Sequence, residues 1–472
     1  MKISYNWLQD YLSINLPVEE VSELLTDIGL EVEGIDNIES VKGGLKGIVI
    51  GEVISKEKHP NADRLNITKV NIGTESLQII CGAPNVAVNQ KVAVATAGTI
   101  LYDKNTDFKI KKSKIRGEIS LGMICSEKEL GLGEDHNGIM VLDNDAEIGT
   151  NACDYFNLMN DIIFDIALTP NRSDAMSHIG VARDLKAVLN YKYPDTERKL
   201  CIPSINRFIS HEKTNKIDVK VIDSNLCPRY SGLSISNLKV ENSPDWLQNK
   251  LKAIGIIPTN NIVDITNYVL HETGQPLHAF DADKIDGNKI IVSNAKENTE
   301  FTTLDKAKHL LSANDLMICD AKKPLCIAGV YGGLLSAVDQ NTTEIFLESA
   351  YFNPVSIRKT SKGHNLNTDA SFRFERGCDP NITIYALKRA ALLITDICGG
   401  KINSDIIDIY PEKIDHTSII LNYAEMDVLI GKKIDRDIIK LILNNLEIQI
   451  IKDNNESLSL LVPPFRADVK RE

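Results

Sequence analysis

The chain has 472 residues, with 53 basic and 65 acidic side chains and a formal net charge of -12. That length exceeds what one hydrophobic core serves and predicts about three to five domains. The acidic balance excludes a general nucleic-acid coat, which needs a broadly basic surface, and leaves room only for a local basic patch.

Hydrophobic residues make up 43% and charged residues 25%, as in ordinary soluble globular protein. No apolar run is long enough to span a membrane. The start, Met1-Lys2-Ile3-Ser4-Tyr5-Asn6-Trp7, lacks the apolar centre of a signal peptide. The nine cysteines are scattered and include no CxxC pair, which predicts reduced thiols in a cytoplasmic protein. His59, His136 and the other histidines show no metal-ligand spacing.

In chain order, residues 1–38 read as two helices and a strand. Pro17 opens the second helix at a favoured first-turn position, Val18, Val21, Leu24, Leu25 and Ile28 form its apolar stripe, and Gly29 stops it. The piece is too small for a core of its own and is expected to pack on something later in the chain. From 45 to 149 the texture changes to short strands such as Ile48-Val49-Ile50 and Val92-Ala93-Val94, separated by Gly, Asn and Pro. Such close spacing predicts a small barrel or sandwich. Between residues 40 and 150 there are 14 basic and 14 acidic side chains, so this block is neutral and any nucleic-acid contact must be local. The cations gather at Lys109, Lys111, Lys112, Lys114 and Arg116, which are read either as phosphate contacts or as a solvated hairpin whose lysines guard a strand edge. No aromatic stacking platform is evident among these strands.

A helix is expected over Ile179–Leu189, after Thr169-Pro170-Asn171-Arg172-Ser173-Asp174. Residues 191–216 read as a linker, 217–410 as an α+β block whose clearest helix is Ile382–Cys398, and 411–472 as a small domain with a helix at Arg436–Leu446 and a strand at Leu458–Val462. The fold class is thus multidomain α+β, with a strand-rich small barrel or sandwich between the other pieces; its insertion into the domain made by the flanking pieces is what the resemblance given below implies.

The most informative stretch is Thr259 to Arg376. It holds Gln275-Pro276-Leu277-His278-Ala279-Phe280-Asp281, Ala328-Gly329-Val330-Tyr331-Gly332-Gly333, Leu347-Glu348 and Thr368-Asp369-Ala370-Ser371-Phe372-Arg373. Backbone-permissive residues beside one or two polar side chains suit a pocket wall. Alternation places Phe346 and Glu348 on one face of an apolar strand, and a carboxylate there needs a partner. That partner is either a structural donor within the protein or a ligand. His278 is read either as a packed, hydrogen-bonded side chain or as a site residue. The glycines make a tight turn, and the Ala328-Gly329 and Gly332-Gly333 amides could also hold a carbonyl oxygen.

The order of these pieces resembles the editing module of the bacterial phenylalanyl-tRNA synthetase beta subunit. His59-Pro60-Asn61-Ala62-Asp63-Arg64-Leu65, Cys81-Gly82-Ala83-Pro84-Asn85 and Gly122-Met123-Ile124-Cys125-Ser126 likewise resemble the OB-fold tRNA-binding module appended to several synthetases. The resemblance implies a domain made of 1–38 with 152–190, an OB-fold over 40–150, an editing (B3/B4-like) domain over 217–410 and a truncated, winged-helix-like B5 domain over 411–472. It implies hydrolysis of tyrosine wrongly attached to tRNA(Phe), with Glu348 sensing the tyrosine hydroxyl and His278 orienting the terminal adenosine or water. Thr368 joins these two as a candidate catalytic position. Thr259, Asn260, Pro276, Ala328, Gly329 and Ala370 would line the substrate site. A pocket that requires a hydroxyl disfavours phenylalanine by about 1–3 kcal/mol, because its own polar group is left unpaired.

Ile257, Thr259 and Asn365 depart from the family's pattern, and Ile257 stands where a cation is usual. Pro463-Pro464-Phe465-Arg466-Ala467-Asp468 resembles the start of the family's magnesium-binding stretch, of which Asp468 alone is present. The chain is therefore expected to be a piece of a longer subunit. Its full form would pair with an alpha subunit as alpha2-beta2 and charge tRNA(Phe) using ATP and Mg2+, while the piece itself would need no cofactor. The alternative is a tRNA-binding and assembly scaffold with an inactive editing pocket.

Overall fold

The computed structural model describes residues 1–102, 107–133, 135–156, 158, 160–210 and 216–471. The chain divides into two compact units, Asn37–Ile162 and the flanking Met1–Asp36 with Ile163–Glu472.

In the Asn37–Ile162 unit, an antiparallel sheet runs in the order Gly122–Ile124, Lys91–Thr96, Ile48–Lys58, Asn66–Asn71, Ser76–Cys81, and Val141–Leu142 also pairs with Lys91–Thr96. The Lys91–Thr96 strand shows why the sheet curls into a barrel-like layer. Val92 and Val94 face one apolar cluster with Val53, Val70 and Ile79, while Ala93 and Ala95 face a second with Ile48, Ile50 and Leu130. Alternate residues thus bury both faces, with small alanines on the side where Leu130, Leu142 and Ala152 close over the sheet.

The larger unit begins with the strand Lys2–Ser4, which pairs antiparallel with Asn160–Ala167. This strand adds to the two helices and single strand expected for the first 38 residues. Pro17 proves to be the N-cap, with the helix running Val18–Asp27, rather than its first residue. The start of the chain is anchored through Trp7, which stacks between His178 and Tyr268 at centroid distances of 3.9 and 4.7 Å. Its indole N–H donates to Tyr11 Oη at 2.7 Å, and Tyr11 donates to Glu272 Oε1 at 2.9 Å. Arg389 completes the chain with two bonds to the fully buried Glu272 carboxylate, at 3.0 and 3.1 Å.

The central block of this unit contains two sheets. One runs Leu277–Asp281, Glu344–Tyr351, Arg229–Ser236, Lys401–Ile402, with Ile407–Ile409 also on Arg229–Ser236. The other runs Asp218–Val221, Lys289–Asn294, Leu316–Cys319, Pro324–Ile327, Tyr331–Gly332. Their side chains meet in one core that joins Tyr230, Phe280 and Phe346 to Ile290, Ile318 and Ile327. Helices Asn261–Thr273 and Thr383–Cys398 flank the first sheet, and each stops at a left-handed glycine, Gly274 and Gly399. The expected linker carries no helix or strand over residues 194–210. Near the end, Thr417–Asn422, Ser457–Val462 and Gln449–Asn454 form a three-stranded sheet around its own small core, with helices Tyr423–Ile430 and Arg436–Asn445.

Candidate functional site

Glu348 lies on the Glu344–Tyr351 strand, directly opposite Gly232 on one neighbour and His278 on the other. Opposed residues of an antiparallel sheet share a face, so Glu348, His278, Phe280, Phe346, Tyr230 and Ala350 all point into the core between the two sheets. The glutamate is only 5% exposed. Its partner is Tyr230, whose hydroxyl donates to Oε2 at 2.7 Å. Burial pushes the Glu348 carboxyl up to about 8, against a smaller opposing effect of the Tyr230 bond. The Tyr230 phenol is held well above its usual range by burial and by the facing carboxyl.

His278 packs edge-on against Phe280 at 4.4 Å between centroids. Gly332 lies over the ring: a Cβ there would come within 2.9 Å of His278 Cε1. Burial lowers the imidazole to about 4, which leaves it neutral near pH 7. No carboxylate bonds it among the described residues, so the ring suits orientation of a group or a water better than strong general-base work.

The Ala328-Gly329-Val330 turn and the helix Asp369–Phe374 form the adjoining wall. Thr368 caps that helix, accepting from Ser371 N at 3.0 Å, and its hydroxyl donates to Val330 O at 2.9 Å. Ala370 packs on the shared core. Gly329 has φ +65°, and a Cβ there would meet Phe352 and Phe374 at 2.9 Å, so both backbone and packing require glycine. The amides offer less than expected for a carbonyl oxygen. Ala328 N–H is donated to Leu316 O at 2.9 Å, and Gly333 N–H to Leu325 O at 2.9 Å. Pro276 follows Gln275, whose amide bonds Pro276 O and Ala350 O at 2.9 and 2.8 Å and so ties the turn to the Glu348 strand.

His278, Glu348, Ala328, Gly329, Thr368, Ala370 and Pro276 are therefore gathered around one core. Thr259 and Asn260 stand apart from it. Asn260 caps the helix Asn261–Thr273, Thr259 N–H donates to Asp264 at 2.8 Å, and both line a separate cleft with Glu241, Asp339 and Gln340. Tyr230 and Gly232 were not legible as site residues, because only the strand register places them beside Glu348.

Lys109, Lys111, Lys112, Lys114 and Arg116 are exposed on the short strands Asp107–Lys109 and Ser113–Ile115 and the turns beside them. No ion pair to any of the five is seen among the described residues. Phe108 is 60% exposed beside Lys109, a single aromatic side chain rather than a stacking platform. Asp468 is held by Arg466 through two bonds of 3.0 and 3.1 Å, and no group of three His, Cys, Asp or Glu side chains among the described residues could hold a metal. A single carboxylate already paired with a guanidinium does not fit a magnesium site.

The buried Glu348 sets a pH test of stability. A carboxyl whose folded value is about 8 against an ordinary 4.5 stays protonated in the folded state while the unfolded chain has released its proton. Stability therefore falls as pH rises from about 4.5 to about 8 and levels above it. Replacing Glu348 by glutamine is expected to flatten that decline, which urea unfolding at stepped pH reads directly.

Comparison with known proteins gives this geometry a family. Residues 226–399 match the family described as "B3/4 domain", and residues 48–151 match the one described as "Putative tRNA binding domain". The phenylalanine–tRNA ligase beta subunits of Bacteroides fragilis and Bacteroides thetaiotaomicron are each 51% identical to this chain, and that of Porphyromonas gingivalis is 50% identical. Each alignment covers 100% of this chain and 57% of the relative, so the chain spans a little over half the length of these relatives. No helix among the described residues is long and apolar enough to cross a membrane. On a likeness that runs the full length of this chain, it belongs to the family of the phenylalanine–tRNA ligase beta subunit.

Proposed function

We propose that this chain serves a phenylalanine–tRNA ligase as its beta subunit, binding tRNA(Phe) and hydrolysing tyrosine wrongly attached to it. The observation that carries the editing part is Glu348, a carboxyl on an apolar sheet face whose Oε2 accepts from the Tyr230 phenol, the one donor given to it among the described residues. A substrate tyrosine would supply a second phenol. Phenylalanine would leave the carboxyl without the bond that tyrosine makes, which is the physical basis of discrimination.

In this reading water adds to the ester carbonyl carbon, the bond to the ribose oxygen breaks, and the water proton passes to that oxygen, giving tyrosine and free tRNA. The neutral His278 orients the water or the terminal adenosine. The Ala328-Gly329 turn brings backbone close to the substrate, the small Ala370 leaves room for the aromatic ring, and Thr368 holds the turn and the helix together. The Lys109–Arg116 cations engage phosphates. ATP-dependent charging belongs to the alpha2-beta2 assembly with the alpha subunit, and Mg2+ and ATP to that full enzyme, in the cytoplasm. Thr259 and Asn260 flank the adenosine side.

The test is deacylation of tyrosyl-tRNA(Phe) beside phenylalanyl-tRNA(Phe) by the 472-residue chain. Tyrosine-selective hydrolysis is expected. Its absence, both alone and with the alpha subunit added, would favour the scaffold reading, in which the chain binds tRNA and assembles but does not edit.

A further inference from the structure

Glu348 and Tyr230 meet on a diagonal. Tyr230 is paired with Ala350, two residues from Glu348, while the position facing Glu348 is Gly232, which has no side chain. That gap lets the Tyr230 ring lean along the sheet to the carboxyl, since diagonal neighbours lie within reach of aromatic side chains. Gly232 must stay bare, because a Cβ there would fall 2.4 Å from Phe346 Cζ. The groups facing the carboxyl are Tyr230, His278 across the sheet, Cys227 ahead of the Tyr230 strand and Cys326 on Pro324–Ile327. Both thiols are held far above their usual range by burial and by Glu348, and His278 is neutral near pH 7. Among the described residues, Tyr230 is thus the one hydrogen-bond donor to Glu348.

A glutamate carboxyl is otherwise loosely held, because its terminal torsion is broad and two-fold. A sensor must instead present one oxygen at a fixed place, to within about 0.5 Å. We propose that Tyr230 is the positioning residue of the phenol sensor: by donating its hydroxyl to Oε2 it fixes the plane of the Glu348 carboxyl and reserves Oε1 for the hydroxyl of the substrate. This rests on the reading of Glu348 as that sensor. It has a chemical corollary. When the carboxyl is protonated, the proton sits on Oε1 and is donated to the substrate phenol oxygen. When it is ionised, Oε1 accepts the phenol proton. Tyrosine is preferred in both states, because Oε2 is occupied in both.

Tyr230→Phe keeps the buried ring and removes only the donor. For that variant, kcat/KM on tyrosyl-tRNA(Phe) is expected to fall about tenfold, while kcat/KM on phenylalanyl-tRNA(Phe) holds. The second readout needs no activity. The 13C resonance of the Glu348 carboxyl, identified by its loss in Glu348→Gln, should titrate at higher pH in Tyr230→Phe, because a bond that stabilises the ionised form is gone. A merely space-filling Tyr230 would move neither. Unchanged discrimination or an unmoved titration overturns the inference while leaving the sensor reading intact. If the unaltered chain shows no tyrosine preference, or Glu348→Ala retains it, the sensor reading fails and the role of Tyr230 in recognition fails with it.

Discussion

Glu348→Ala is expected to lower hydrolysis of tyrosyl-tRNA(Phe) by about 5- to 150-fold, the kinetic equivalent of roughly 1–3 kcal/mol for an unmade buried hydrogen bond. Hydrolysis of phenylalanyl-tRNA(Phe) should not fall in parallel, so the ratio of the two kcat/KM values collapses toward one. The variant leaves Tyr230 without its acceptor, yet it also removes a carboxyl that burial holds mostly unionised near pH 7. The two effects on stability oppose each other, and the folded protein should survive for assay. A tyrosine-to-phenylalanine ratio that stays at its original value would remove Glu348 from recognition.

Arg389→Ala is expected to have the largest effect on stability. Glu272 is fully buried and is bonded by the Arg389 fork and the Tyr11 hydroxyl. Removing the guanidinium leaves a buried charge with one neutral donor, and breaking such a pair from one side costs about 3–5 kcal/mol. Urea unfolding of the variant should show that loss. The double replacement Glu272→Leu with Arg389→Met should recover much of it, since the penalty comes from the stranded charge more than from the lost attraction. The exposed Lys308–Glu300 pair, at 2.6 Å, is the control and should leave the unfolding midpoint unmoved when broken.

What the sequence revealed and what it withheld divide along a physical line. The helix ends expected at Cys398 and the strand expected at Leu458–Val462 agree with the observed Thr383–Cys398 and Ser457–Val462, because periodicity and a terminal glycine are local signals. Alternation likewise put Phe346 and Glu348 on one face. The first strand, Lys2–Ser4, is three residues long and exists only because Asn160–Ala167 pairs with it, so no local pattern announces it. Tyr230 escaped for the same reason: it stands 118 positions from Glu348, and only register joins them. That Thr259 and Asn260 line a cleft with Glu241, Asp339 and Gln340, ahead of the helix Asn261–Thr273, likewise follows only from the fold. Amide availability at Ala328 was also hidden, since it depends on Leu316 across a sheet.

The Trp7 anchor has a consequence for how the protein is made. Its contacts reach His178 and Tyr268, and through Tyr11 and Glu272 they reach Arg389. A ribosome releases the amino-terminal segment long before those partners exist. At about 5–20 residues per second, the interval between Tyr11 and Arg389 is on the order of 20–75 seconds. Trp7, fully buried in the finished protein, stays without its stacking partners until His178 and then Tyr268 are made, and the bonded chain it starts is complete only with Arg389. The Asn37–Ile162 unit draws its apolar clusters from its own sequence and can close while synthesis continues. The nascent chain therefore carries a self-contained Asn37–Ile162 unit behind an aromatic segment that stays uncovered until its later partners emerge.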